Sequence, residues 1–192
     1  NFSQAITVFI SLCMLIGFTM YHYTRFENPF IILNRGALGI LFVGFLAAHL
    51  VLLRGLEGGG YWLITLTAVT AGADTFAYLI GCKWGRRKLC PNISPNKTIE
   101  GAIGGMLGGM GAALLVNLFF RVDAGLLTVL ALALFLAVAG MIGDLLESMI
   151  KRGTGTKDSG NLLAGHGGVL DRVDSLLIAA PILYYFLLYA RV

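Results

Sequence analysis

Apolar residues run along this chain in long blocks separated by short polar segments. A hydrocarbon core about 30 Å thick takes roughly 20 apolar residues of helix. Six stretches meet or approach that length: about 4–23, 36–53, 61–82, 102–120, 125–147 and 175–190. The last is short, with room to extend back into the polar segment before it. Lipid cannot hydrogen-bond to a backbone, so each stretch is expected to be a helix. The alternation of a transmembrane barrel is absent. The expected fold is therefore all-α, a polytopic transmembrane bundle of six spans with no internal repeat.

The polar segments set orientation. The loop 83–100 carries Lys83, Arg86, Arg87, Lys88 and Lys97, and the loop 151–174 carries Lys151, Arg152, Lys157 and Arg172. Two spans separate these loops, so both lie on one side, and the positive-inside rule makes that side cytoplasmic. Arg25 and Arg35 fall on the same side, while the opposite connections hold only Arg54 and Arg121. Both chain ends then lie outside. Composition agrees: 57% of residues are hydrophobic and 12% charged, against about 25% charged in a soluble domain. The net charge of +4 fits cytoplasmic loops, and nucleic-acid binding is a poor reading of it. Cys13, Cys82 and Cys90 follow no metal-ligand spacing and suggest no disulfide framework. No basic segment precedes the apolar residues 5–20, so they are not read as a signal peptide. The chain opens at Asn1 rather than methionine, as expected of a piece of a longer protein.

Candidate chemistry gathers at the basic side. Asp74, Asp144 and Glu147 sit in or at the edge of apolar stretches, where a carboxylate costs several kcal/mol unless it has a partner or a wet cavity. At helical spacing Asp144, Glu147, Ser148 and Lys151 share one face. That face leads into Lys157-Asp158-Ser159-Gly160, Gly165-His166-Gly167-Gly168 and Asp171-Arg172-Val173-Asp174. Asp171 and Asp174 share a face if the last helix starts there. Carboxylates without a cysteine cluster suit a hard cation such as Mg²⁺. Lys and Arg beside them suit phosphate oxygens, and glycines let main-chain amides approach an anion. Phosphoryl and nucleotidyl transfer need this set.

In the other basic loop, Pro95 is expected to fix a turn and Thr98 to cap the next helix, placing Lys97 beside a positive helix N-terminus. Residues 83–88 are read as setting topology or touching anionic lipid. The run Gly101–Gly111 is read as a close-packing helix face, since no glycine loop ending in Gly-Lys-Ser/Thr is present. A nucleophilic triad is not expected around His166, and His22 and His49 are read as interfacial or packed.

Ser148-Met149-Ile150-Lys151-Arg152, then Lys157-Asp158-Ser159-Gly160, then Gly165-His166-Gly167-Gly168-Val169-Leu170-Asp171-Arg172-Val173-Asp174 resembles the signature of the phosphatidate cytidylyltransferase, or CDP-diacylglycerol synthase, family. Asp74-Thr75-Phe76-Ala77-Tyr78 and Ser94-Pro95-Asn96-Lys97-Thr98 resemble further segments of that family, in the right order. The resemblance covers about residues 70–174. Ala164 stands where the family usually has proline, which loosens the turn before His166. Family members tend to be longer, with extra spans that would lie upstream of Asn1.

The resemblance implies conversion of CTP and phosphatidic acid to CDP-diacylglycerol and pyrophosphate. It implies a divalent metal, Mg²⁺, on Asp144 and Asp171, with K⁺ as a second ion. Asp174, Asp158 and Asp74 would be further carboxylates of the site. Lys97, Lys151, Arg152, Lys157 and Arg172 would contact CTP or the lipid phosphate. Ser148 and His166 would position groups, and Ser94, Asn96, Gly167 and Gly168 would join the substrate contacts. Residues 1–60 would be N-terminal spans and 61–192 the catalytic transmembrane part. The expected setting is a homodimer in a bacterial inner membrane, its site facing the cytoplasm. The nearest rival is another CTP-dependent lipid enzyme, a CDP-archaeol synthase or a polyprenol or phytol kinase. A transporter would spread polar residues through several spans, whereas here they gather at one end.

Overall fold

The computed structural model describes residues 2–120, 125–156, 159–160 and 168–190. Six helices are long and apolar enough to cross a membrane. They are α1 (Phe2–Tyr21), a bent span made of α2 (Pro29–Gly39) and α3 (Leu46–Arg54), α4 (Gly59–Trp84), α5 (Ile99–Phe120), α6 (Leu126–Gly153) and α7 (Leu170–Ala190). These spans make the chain an integral membrane protein.

Several helices outrun their apolar stretches. The second span starts at Pro29, where Asn28 caps it by accepting from the Ile31 amide at 3.2 Å. A wide π-type turn, Ile40–Phe45, joins α2 to α3 without breaking the span. One turn on, His49 Nδ1 donates to the Phe45 carbonyl at 2.9 Å. The His49 ring is fully buried against Tyr184 and Tyr185 of α7, so it is packed, as expected. α6 continues past its apolar part to Gly153 and ends in a Schellman cap. Gly155 takes a positive φ of 71°, its amide donates to Arg152 O at 3.2 Å, and the Thr156 amide donates to Lys151 O at 2.9 Å. α7 begins at Leu170, so it does extend back, and Asp171 and Asp174 lie in its first turns.

Packing is tightest between α4 and α5. A Cβ on Gly105 would lie 2.8 Å from Ala73 O, one on Gly108 2.5 Å from Phe76 Cβ, and one on Gly101 2.8 Å from Ala77 O. The glycine face thus brings two backbones into contact, the form small residues take at helix interfaces in a bilayer. The apolar core lies among α3, α4, α6 and α7, where Leu53, Leu66, Leu136 and Leu183 are fully buried. α1 is peripheral and exposes Phe9, Met14, Phe18 and Met20, as a lipid-facing span does.

The loop 83–100 is not irregular. It holds an antiparallel hairpin, β1 (Lys88–Cys90) and β2 (Ser94–Thr98), pairing Lys88 with Thr98 and Cys90 with Ser94. This corrects one expectation: Pro95 lies within β2 and fixes no turn. The turn is Cys90-Pro91-Asn92-Ile93, closed by the Ile93 amide on Cys90 O at 3.2 Å, with proline at the position its fixed φ suits. Pro95 is tolerated in a two-stranded sheet because each strand has a free edge.

Candidate active site

One end of the bundle collects the charged side chains. Here α4 leaves the core, the hairpin folds back, and α5 begins. Thr98 caps α5 as expected: its Oγ1 accepts from the Gly101 amide at 3.1 Å. Thr98 is buried against Gly81, Gly85 and Gly101, where a Cβ would crowd its side chain. Glu100 adds a second tie. Its carboxylate accepts from the Arg86 amide at 3.0 Å and the Arg87 amide at 3.2 Å. The Ile99 amide donates to Arg87 O at 2.9 Å. The helix start and the hairpin root therefore hold each other, and β2 is carried to a fixed place.

That place is against α6. Lys97 Nζ lies 2.5 Å from Asp144 Oδ2, with both side chains about a quarter exposed. Lys97 of the first basic loop thus meets the part of α6 that leads into the second, which puts those loops on one side of the bundle. Ser148, one turn along α6, donates from Oγ to Asp144 Oδ1 at 3.3 Å. Behind the pair opens a cavity of about 560 Å³ between α4, α5, α6 and the hairpin. Asp74, Ser94, Asn96, Lys97 and Asp144 line it, and its floor is small residues such as Ala73, Gly101 and Gly105. Asp74 sits about 15 Å along α4 from Trp84, a carboxylate at membrane depth that meets the cavity.

A second cluster lies further along the same face of α6. Lys151 Nζ is 2.6 Å from Glu147 Oε2 and 2.8 Å from Asp171 Oδ1, joining the end of α6 to the start of α7. The Gly168 amide donates to Asp171 Oδ2 at 2.8 Å and the Ser159 amide at 3.1 Å. Asp171 is thus held by a lysine and two main-chain amides, a strong arrangement for a carboxylate. Glu147 is 2% exposed, and its Oε1 finds no hydrogen-bond partner among the described residues. Asp174 is buried and accepts from the Ser175 amide at 2.6 Å. α6 and α7 approach closely here, because a Cβ on Gly143 would lie 2.5 Å from Asp174 O.

The remaining candidates divide plainly. Arg152 and Arg172 are exposed beside the second cluster, and the Arg172 amide donates to Val169 O at 3.1 Å. Lys157, Asp158, His166 and Gly167 lie outside the described residues. Among the described residues, no three His, Cys, Asp or Glu side chains converge as a metal cage; Asp144 and Asp171 each face a lysine. Two contributors, Glu147 and Glu100, had no role in the site expected from sequence. Glu147 was legible as a buried carboxylate but not as the second partner of Lys151. Glu100 gave a signal only in its place two residues beyond a capping threonine.

Comparison with known proteins gives this geometry a lineage. The chain is 49% identical over 151 residues to a phosphatidate cytidylyltransferase of Brucella abortus, covering 78% of this chain and 56% of that protein. It is 40% identical over 151 residues to the phosphatidate cytidylyltransferase of Bacillus subtilis, with the same coverage. It is 35% identical over 178 residues to that of Staphylococcus haemolyticus, covering 91% of this chain and 66% of the relative. The chain spans about half the length of the first two. The model of the cytidylyltransferase family matches residues 1–190, and the chain belongs to that family.

Proposed function

We propose that this chain carries the active site of a phosphatidate cytidylyltransferase, converting CTP and phosphatidic acid to CDP-diacylglycerol and pyrophosphate. The observation that carries this reading is the Lys97–Asp144 contact. It joins the hairpin segment that resembles the family to Asp144, one turn before the α6 segment that does and hydrogen-bonded to its Ser148, at the mouth of the cavity. The names of the relatives support the same reaction.

In this reading a phosphate oxygen of phosphatidate attacks the α-phosphorus of CTP. A new P–O bond forms as the bond to the pyrophosphate oxygen breaks. The attacking group is already an anion, so no strong general base is needed. The obstacle is repulsion between anions, which fixed cations offset most where water is scarce. Lys97 and Lys151 would turn from Asp144 and Asp171 to substrate phosphates. Ser94 and Asn96 at the rim would orient the bound nucleotide, and Ser148 would keep Asp144 in place.

Asp144 and Asp171 offer carboxylate oxygens only, the donors a hard divalent cation takes. Asp144 and Asp171 would hold Mg²⁺, which when bound supplies charge neutralisation at the transferring phosphate. A second ion such as K⁺ and a homodimeric assembly are carried by the family resemblance alone. The inner membrane and a cytoplasmic site follow from the positive-inside rule and from cytosolic CTP.

The test is turnover of the intact purified protein with CTP, phosphatidate and Mg²⁺, following both CDP-diacylglycerol and pyrophosphate. Asp144→Asn and Asp171→Asn should each lower kcat by about 10²-fold or more. Release of CDP in place of pyrophosphate would make the protein a lipid kinase instead. Wild-type metal dependence in both variants would remove them from the metal site.

A further inference from the structure

Away from the paired charges of the cavity, the root of the hairpin holds cations without counter-charges. Lys83, Arg86 and Lys88 are exposed, and none of them forms an ion pair among the described residues. Lys97 and Lys151 differ, since each already faces a carboxylate. The acid nearest this root, Glu100, spends its oxygens on the Arg86 and Arg87 amides. It fixes the main chain there and leaves the Arg86 guanidinium available. Lys83, Arg86 and Lys88 fall within six residues of chain, and an anion arriving among like charges relieves their repulsion.

Trp84 stands within this patch. The residue is 58% exposed, and Lys83 Nζ lies 4.8 Å from the centre of its ring. On the same helix just before it, Phe76, Tyr78 and Leu79 are exposed along an apolar surface. An exposed indole at the end of such a surface marks the headgroup level of a bilayer. The anion abundant at that level is a lipid phosphate. Lys88 belongs to the patch and also to the cavity wall, so the patch leads directly into the candidate active site.

We propose that Lys83, Arg86 and Trp84 form a docking site for the headgroup of a phosphomonoester lipid, which then passes Lys88 to reach the cavity. The inference rests on the lipid-cytidylyltransferase reading and adds where the lipid first binds. A monoester carries up to two negative charges against one for a diester lipid. Unpaired cations therefore favour it over the surrounding anionic lipids.

Two readouts test this separately. In mixed micelles, the Lys83→Gln/Arg86→Gln variant should raise the apparent KM for phosphatidate at least about fivefold, a basic residue at an anionic surface being worth about that factor. Its kcat and its KM for CTP should stay as in the wild type. An unchanged lipid KM, or a parallel rise in KM for CTP, overturns the docking site. The second readout needs no turnover. Trp84 fluorescence in the intact protein, with Trp84→Phe as baseline, is quenched by phosphatidate brominated near its headgroup. Quenching should exceed that by equally brominated phosphatidylcholine or phosphatidylglycerol, and the excess should vanish in the double variant. Equal quenching by all three lipids overturns the proposal. A wild-type protein without turnover that still shows the selective quenching would refute the reaction and leave the docking site standing.

Discussion

Lys97 and Lys151 do the same job at two places: each holds a carboxylate and offsets its charge at the polar end of the bundle. Their removal should nonetheless differ. Lys97 shares one partly exposed carboxylate, so Lys97→Met should fold normally and lose about 10²-fold in kcat/KM for CTP, seen in initial rates. Lys151 sits between two carboxylates, one of them buried. Lys151→Met leaves that charge uncompensated and should cost about 3–5 kcal/mol, read as a lower thermal midpoint in detergent and a loss of activity together. The face carrying Asp144, Glu147, Ser148 and Lys151 was legible, because helical spacing fixes it whatever the fold around it. The pairing of Lys151 with Asp171 was not legible. The two residues lie 20 apart in sequence, and only the close approach of α6 and α7 at Gly143 brings them together.

Among the elements, the six spans were the readable part, since bilayer thickness dictates their length and composition. Their ends were less so. α6 and α7 run into polar sequence, because a Schellman cap at Gly155 and the Lys151 bridge stabilise helix where hydropathy alone would end it. The hairpin was missed for a physical reason. Two strands of three and five residues carry no alternating face, and their stability comes from the Pro91 turn and from Glu100 rather than from burial. The α4–α5 contact allows a sharper forecast. Gly108→Leu would drive a side chain into Phe76 where that interface is tight, a clash costing about 3 kcal/mol or more. Detergent-solubilised variant should elute as aggregate in size exclusion, whereas Gly111→Leu, at a position with open space around it, should elute as the wild type does.

Across the whole molecule, charge and packing agree on a single polar end. The first basic loop reaches α6 there through Lys97 and Asp144, next to where α6 enters the second. Cysteines placed at Lys83 and Arg152, both exposed, should therefore label with a membrane-impermeant maleimide from the same side of sealed vesicles. A cysteine at Glu57, in the opposite connection, should label from the other side. Labelling of positions 83 and 152 from opposite faces would contradict the bundle itself, independently of any reaction assigned to it. Inverted vesicles identify which face is cytoplasmic.

The floor of the cavity is formed by Ala73, Ala77, Gly101 and Gly105, and main-chain atoms of α4 press directly on the glycines of α5. No side chain there can grow without forcing the helices apart. The floor thus has little room to vary, whereas the rim at Lys88, Ser94 and Asn96 can change size or charge without moving a helix. A change in what the cavity admits is therefore easier to engineer at that rim than at the glycines beneath it.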